Sequence, residues 1–423
     1  MVVSGSSDVS IQDEAGRSRS TEGGVESTYA WVRLFASLLI ATIGGVGFWA
    51  VVVVLPAVEA EFGVARAGAS FPYTLTLICF SIGGILIGRL VDRIGIVYPT
   101  IVSGIVLGLG YIASSQAGSL WQFAVLHALF VGAASSTMFA PLIADISHWF
   151  NRRRGIAVAI CASGNYLAGT VWPPIIQHFV ENFGWRSAFF GIGMFCLLTV
   201  LPLVAVLRRK PPHMEISEAS TAPMGAKARL GVSPNVLMAL LALAGIACCV
   251  AMSMPQVHIV AYCGDLGYGT ARGAEMLSLM LGFGIVSRLA SGWIADRIGG
   301  VATVLLGSGL QGVALFLYLL FDSLPSLYLI SALFGLFQGG IVPSYAIVVR
   351  EYFPPNQAGT RVSIVLMATT IGMALGGWLS GALYDLTGNY EAAFINGVLW
   401  NLLNLTIIGW LSLRQRNQRL ALA

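Results

Sequence analysis

Twelve stretches of this chain are each long and apolar enough to cross a bilayer. They run near 31–56, 70–91, 97–115, 120–145, 152–177, 186–208, 232–262, 272–294, 301–321, 325–350, 357–383 and 389–413, and are called spans 1 to 12. A membrane helix needs about 20 mostly apolar residues. Inside lipid every backbone polar group must be bonded within the protein, which confines such runs to helices. Composition points the same way: 57% of the residues are hydrophobic and 10% charged, against about 25% charged in an ordinary soluble domain. So few charges cannot dress a water-facing surface of this size. The 50 glycines suit helices that approach closely in lipid. The expected fold is an all-α membrane protein of twelve transmembrane helices.

Polar stretches divide the runs. Residues 1–30 are expected to form a disordered cytoplasmic tail, since residues 1–28 are polar and lack the apolar core of a cleavable signal. A six-helix bundle follows over 31–208. The stretch "RKPPHMEISEASTAPMGAKARLG" at 209–231 reads as a cytoplasmic linker, because paired prolines, charges and small residues favour no packed element. A second six-helix bundle occupies 232–413, and 414–423 form a short cytoplasmic tail.

With both termini in the cytoplasm, 19 of the 23 basic residues fall on that side. Arg66, Arg186 and Arg272 fall outside, and Arg288 lies within a span. This is the positive-inside asymmetry of a protein of the cell membrane. The net charge of +4 therefore reports topology, and no nucleic-acid partner is implied by basic residues dispersed over several loops. Five cysteines (Cys79, Cys161, Cys196, Cys248, Cys249) sit in apolar runs and Cys263 stands alone in a loop. That pattern suggests neither a metal site nor a disulfide. No cofactor is expected, and the chain is expected to act as a monomer.

The two halves repeat each other. "GRLVDRIG" at 88–95 recurs as "GWIADRIG" at 292–299, an offset of 204 residues from Gly88 to Gly292. "WFNRRRG" (149–155) is echoed by "YFPPNQAGTR" (352–361), "FGWRSAFF" (183–190) by "TGNYEAAF" (387–394), and "EFGVARAG" (61–68) by "DLGYGTARG" (265–273). Four echoes in register imply two bundles related by a pseudo-twofold axis along the membrane normal, able to rock about a central site. This layout resembles the major facilitator superfamily over residues 31–413. The octet resembles that family's Gly-x-x-x-Asp-Arg-x-Gly loop signature, although Ile96 and Val97 stand where two basic residues usually follow. The resemblance implies alternating access, with Gly88, Asp92, Arg93, Gly292, Asp296 and Arg297 forming a conformational latch that stabilises the outward-open state. A plain reading of each octet is a tight hairpin between two spans.

Arg288 is the most informative single residue. It lies eight residues before Asp296, about 12 Å inside the cytoplasmic end of span 8. An arginine there costs roughly 2.5–3.5 kcal/mol on insertion scales, so something should offset it. Snorkelling to the interface is one way; an anion site facing a water-filled cavity is the other, since a guanidinium matches a carboxylate bidentately. No other lysine or arginine lies deep in a span, and Asp145 and Glu275 sit toward span ends. His127, Asn165, Tyr166, Gln256, His258, Gln338 and Tyr345 are candidate cavity residues, with Trp49 and Phe48 as an apolar wall. For each, a bond to a neighbouring helix is the competing reading. "VWPPII" at 171–176 is expected to kink or end span 5.

"HWFNRRRGIAVAICASGNYLAG" (148–169) resembles the span-5 signature of the monocarboxylate transporter family, and Arg288 matches that family's substrate arginine in span 8. "GGVGFWAV" (44–51) loosely resembles its span-1 signature, and bacterial oxalate–formate exchangers are similar relatives. The resemblance implies a carrier of small carboxylates, with protons as a coupling partner. Three positions depart from it. Gly284 stands where animal members have an aspartate, span 1 lacks their lysine, and span 11 lacks the exchangers' lysine. Dicarboxylate exchange is disfavoured accordingly. A proton would have to travel on His127, on His258 or on the substrate acid itself. The alternatives are a facilitator-type exporter of apolar compounds, with Arg288 structural, and a non-transporting membrane receptor. An enzyme is not expected, since no nucleophile–base pair, phosphate loop or metal cluster is present.

Overall fold

A computed structural model describes residues 24–209 and 232–422. The expected tail up to residue 23, and all but the first residue of the expected linker, lie outside the described residues. The described chain forms helices that follow the apolar runs. Span 1 comprises Thr28–Gly44 and Val46–Phe62, span 2 Arg66–Ile94, and span 3 Val97–Ser115. Span 4 is assembled from Leu120–Leu126, a π-helical turn at His127–Gly132, Ala133–Thr137 and Ala140–Ser147. Span 5 starts with Arg154–Ala162 and continues into the helix Gly164–Ala205, whose second part is span 6. Span 7 is Pro234–Asp265, span 8 Thr270–Ile298 and span 9 Gly300–Leu320. Span 10 comprises Leu324–Gln338 and Ile341–Tyr352, span 11 is Pro355–Thr387, and span 12 is Glu391–Leu422.

Eleven of these stretches qualify as separate apolar helices by length and composition. One of them, Arg154–Arg208, is 55 residues long and turns back at Gly184, where φ is 79° and ψ is 158°. That turn restores the expected twelve spans. Span 12 runs past 413 to Leu422, so the chain leaves the apolar register there without leaving the helix.

The proline pair does not end span 5. Pro173 and Pro174 lie inside a helix that continues beyond them. Pro174 has no N–H to give the Thr170 carbonyl four residues back, and the Ser278 hydroxyl of span 8 bonds that carbonyl instead. A neighbouring helix thus supplies the donor that proline removes, as membrane interiors allow.

Glycine sets both the turns and the contacts. Gly95 and Gly299, the last residues of the two octets, have φ/ψ of 81°/170° and 84°/163°. That conformation is essentially glycine's alone, which explains why both octets end on glycine. At Gly335 an added Cβ would stand 1.9 Å from the Met280 carbonyl, and at Gly376 2.4 Å from the Val250 carbonyl. Spans 8 and 10, and spans 7 and 11, therefore cross backbone to backbone. Between the halves, span 5 packs on span 8 and span 2 on span 11. Large apolar side chains such as Leu86, Val102, Leu198 and Leu329 face outward, as a lipid-facing surface requires.

One buried ion pair holds the first half at the end where the chain begins. Arg33, 0% exposed, makes two 2.8 Å bonds to the Asp145 carboxylate and lies 4.7 Å from the Trp149 ring. The position of Arg33 near the start of span 1 fits its place among the interfacial basic residues, but its burial was not legible from that position.

Candidate functional site

Arg288 sits ten residues before the end of span 8 at Ile298, about 15 Å along the helix. The residue is partly exposed. Nη1 donates to the Ala162 carbonyl at 2.9 Å, and Nε is 3.5 Å from the Gly339 carbonyl. Both carbonyls stand at helix breaks. Ala162 ends the first helix of span 5, and Gly339 lies between the two helices of span 10. Residue 343, which would normally bond the Gly339 carbonyl, is a proline. Carbonyl ends of interrupted helices carry partial negative charge and suit a cation in the membrane interior. Two of the five guanidinium N–H donors are committed in this way. Among the described residues no carboxylate is paired with Arg288.

Tyr166 shapes this site. The Arg288 guanidinium lies over its ring, 4.2 Å from the centroid, an arrangement that favours a cation. The same ring fills the space beside Gly284, where an added Cβ would be 2.4 Å from Cε1. Gly284 thus holds the position where relatives of this kind were expected to carry an aspartate, and the space is taken by an aromatic face. The Tyr166 hydroxyl donates to Gln338 Oε1 at 3.2 Å. Gln338 Nε2 and Asn165 Oδ1 are buried without a hydrogen-bond partner. The Trp49 indole N–H donates to the Asn165 carbonyl at 3.0 Å and lies against Gly169. Arg288, Tyr166, Gln338, Asn165 and Trp49 therefore form one connected group drawn from both halves. Phe48 lies on the other side of span 1, edge-on to Phe80 at 4.7 Å.

Three of the remaining candidates, His127, Tyr345 and His258, are bonded to other residues. His127 is fully buried in the first half, bonded to the Gly47 carbonyl at 3.1 Å and packed between Phe123, Tyr111 and Phe189. Tyr345 is fully buried and donates to Asn404 Oδ1 at 2.8 Å, joining spans 10 and 12. His258 lies between Tyr390 and the Gly377 carbonyl, at 3.1 and 2.8 Å. Gln256 is buried, with Oε1 unpartnered. For His127, Tyr345 and His258 the neighbouring-helix reading describes the geometry. A buried polar residue bonded to its own bundle has the same sequence signature as one that lines a cavity.

The octets stand apart from the site. Gly88 and Gly292 have open space where a Cβ would sit, and Arg93, Asp296 and Arg297 are exposed. Arg297 lies 3.6 Å from the Trp293 ring centroid. The Asp92 side chain lies outside the described residues.

The described hydrogen bonds between the halves begin at Arg288 and continue only toward the side away from the termini. Arg288 to Ala162 and Tyr166 to Gln338 are followed by Ser278 to Thr170, Thr74 to the Ala374 carbonyl, Gln177 to Thr270 and a cluster around Arg66. The molecule is thus closed on one side of the Arg288 site. In the sequence Arg66 stands out only as a basic residue on the outer side. Its partners in the second half lie 199 and more residues away, and the available signal was that it is one of three arginines on that side.

Two pseudo-symmetric six-span bundles meeting at a mid-membrane polar site define a membrane carrier. A model of the Major Facilitator Superfamily matches residues 37–323 and 276–421, and the chain belongs to that family. It is similar to monocarboxylate transporter 13 of Rattus norvegicus, 30% identical over 300 residues that make up 70% of this chain and 69% of that protein. It is also similar to monocarboxylate transporter 12 of Homo sapiens, 24% identical with 76% and 67% covered. The MFS-type transporter pynF of Aspergillus niger is 24% identical, with 88% and 85% covered. In fold the chain matches a bacterial homolog of the human lysosomal transporter Spinster, in its inward-facing and occupied conformation. There the TM-score is 0.71 at 15% identity, covering 90% of this chain and 96% of that one. The family is one of multi-pass membrane transporters, which sets the protein apart from enzymes.

Proposed function

We propose that this protein is a secondary active transporter that moves small monocarboxylates, or organic anions of similar chemistry, by alternating access. The observation that carries this reading is the state of Arg288. A permanent cation stands within an apolar span, neutralised by no described acid and held by two carbonyls and the Tyr166 ring. A carboxylate bound there would complete its charge, through bonds roughly twice as strong as neutral ones. Gln338 Nε2 adds a buried unpartnered donor in the same group. One fixed charge suits a monoanion, and the printed names of the monocarboxylate transporters among the relatives support that class. The positive-inside asymmetry supports a cell-membrane protein with both termini in the cytoplasm. In this reading the side closed by the described bonds between the halves is the outer one.

In this reading Tyr166 fills the space of a protonatable acid beside Arg288. A coupled proton would therefore ride on the substrate acid rather than on that position. The test is uptake of labelled formate, lactate, pyruvate and bulkier acids into proteoliposomes, with and without an imposed pH gradient. Saturable uptake of a monocarboxylate is expected, and its loss in Arg288→Ala. Transport of apolar compounds that survives Arg288→Ala, with no carboxylate uptake, would overturn the reading in favour of an exporter with a structural arginine.

A further inference from the structure

Arg66 opens span 2 on the side away from the termini and is 6% exposed. Four groups hold it. Glu59, on its own half, pairs with Nε at 2.6 Å. From the other half, Asp265 pairs with Nη1 at 2.9 Å and lies 3.3 Å from Nη2, and the Tyr390 hydroxyl accepts from Nη1 at 2.6 Å. The guanidinium also lies 4.4 Å from the Tyr384 ring centroid.

The same residue begins a helix that lacks a cap of its own. Ala65, at the N-cap position, has no side chain able to accept a bond. Asp385 of span 11 supplies the missing acceptor: its two oxygens take the backbone N–H groups of Arg66 and Ala67, each at 2.8 Å. A carboxylate there satisfies open donors and meets the positive end of the helix dipole. Behind it, the Tyr390 hydroxyl contributes its proton to His258 Nδ1, and His258 Nε2–H donates to the Gly377 carbonyl. Tyr390 is thereby oriented to accept from Arg66. The packing leaves no slack, since an added Cβ at Gly381 would stand 3.0 Å from the Ala67 Cα.

We propose that Asp265 and Asp385 clasp Arg66 and its helix end as an outer gate that opens once per transport cycle, and that Glu59 is the holding partner that keeps Arg66 neutralised while the gate is open. Alternating access requires spans 7 and 11 to leave span 2 on this side. Arg66 then loses Asp265 and Tyr390, and its helix loses Asp385. Glu59 travels with Arg66, so the cation is never left unpaired in a partly buried position, where breaking a pair is strongly unfavourable. The two kinds of carboxylate around one guanidinium therefore act in opposite directions. Removing charge from Asp265 or Asp385 weakens the closed state alone. Removing charge from Glu59 weakens the open state more, because only there is Glu59 the sole counter-charge.

The inference rests on the alternating-access part of the proposed function and not on the substrate. Its test needs no substrate. Spin labels are placed at Gln116 and Ser323, exposed on the outer ends of the two halves, in the full chain without its native cysteines, in lipid nanodiscs. Distances are read by double electron–electron resonance. Asp265→Asn and Asp385→Asn are expected to enlarge the long-distance, outer-open population at least about fivefold. Glu59→Gln is expected to shrink it by a similar factor. Shifts of the same sign for Glu59→Gln and the aspartate variants, or no shift, would overturn the proposal. Should Asp385→Asn fail to insert because it caps a helix, Asp265→Asn carries the comparison with Glu59→Gln alone, since it meets Arg66 only through side chains. Failure of Arg288→Ala to change carboxylate uptake would remove the substrate reading and leave these distances as they are.

Discussion

At the scale of single residues, the account turns on how Arg288 is seated. The guanidinium rests on the Tyr166 ring and reaches two carbonyls, so its position depends on Gly284 leaving that ring its space. Gly284→Ala would push a methyl group into Tyr166, 2.4 Å from Cε1. Overpacking of this kind costs about 1–3 kcal/mol. Substrate affinity is therefore expected to fall about tenfold or more, while the yield of inserted, monodisperse protein stays near wild type; unchanged affinity would show that Tyr166 does not position Arg288. Arg288 was legible in the sequence because an arginine in mid-span is rare and expensive. Its carbonyl partners were not, because backbone groups carry no letter of their own; Pro343, which frees the Gly339 carbonyl, was the one available trace. His258 and Tyr345 looked equally functional in sequence, and only the fold shows them bonded within the second half.

At the scale of elements, interruptions matter more than helices. Spans 1, 4, 5 and 10 break at Gly45, at a π-helical turn, at Ser163 and at Gly339–Gly340, and π-helical turns recur at functional sites. Apolar periodicity announces a span and is silent about where it pauses, so the runs were legible and the breaks were not. The proline pair shows the converse. It frees a backbone carbonyl inside the helix, and a serine from another span supplies the missing donor. The octets divide into two parts. Their last glycines are demanded by backbone conformation, with φ near 81° and 84° at Gly95 and Gly299. We propose that their charged residues serve as a latch on the side opposite the Arg66 cluster. Gly95→Ala is expected to destabilise the fold by about 1–3 kcal/mol, read as lower thermal stability in detergent. Asp92→Asn is expected to change turnover more than the substrate Kd; a change in Kd alone would contradict the latch.

At the scale of the whole molecule, the two octets and the Arg66 cluster lie on opposite faces of one pseudo-symmetric machine. The repeat was legible because equivalent turns need equivalent residues. The cluster around Arg66 was not, since it exists only where the halves meet, between residues 319 positions apart for Arg66 and Asp385. Closing that face leaves Arg288 at the inner limit of the bonds described between the halves, partly exposed and short of one negative charge. The central claim is that a carried anion supplies it. The most direct measurement is calorimetric titration of a transported monocarboxylate into the purified full-length protein, compared with Arg288→Ala and Arg288→Lys. The account predicts saturable one-to-one binding by the wild type, its loss in Arg288→Ala, and weakened binding in Arg288→Lys, which keeps the charge but not the planar fork. Binding of equal affinity by Arg288→Ala would contradict it.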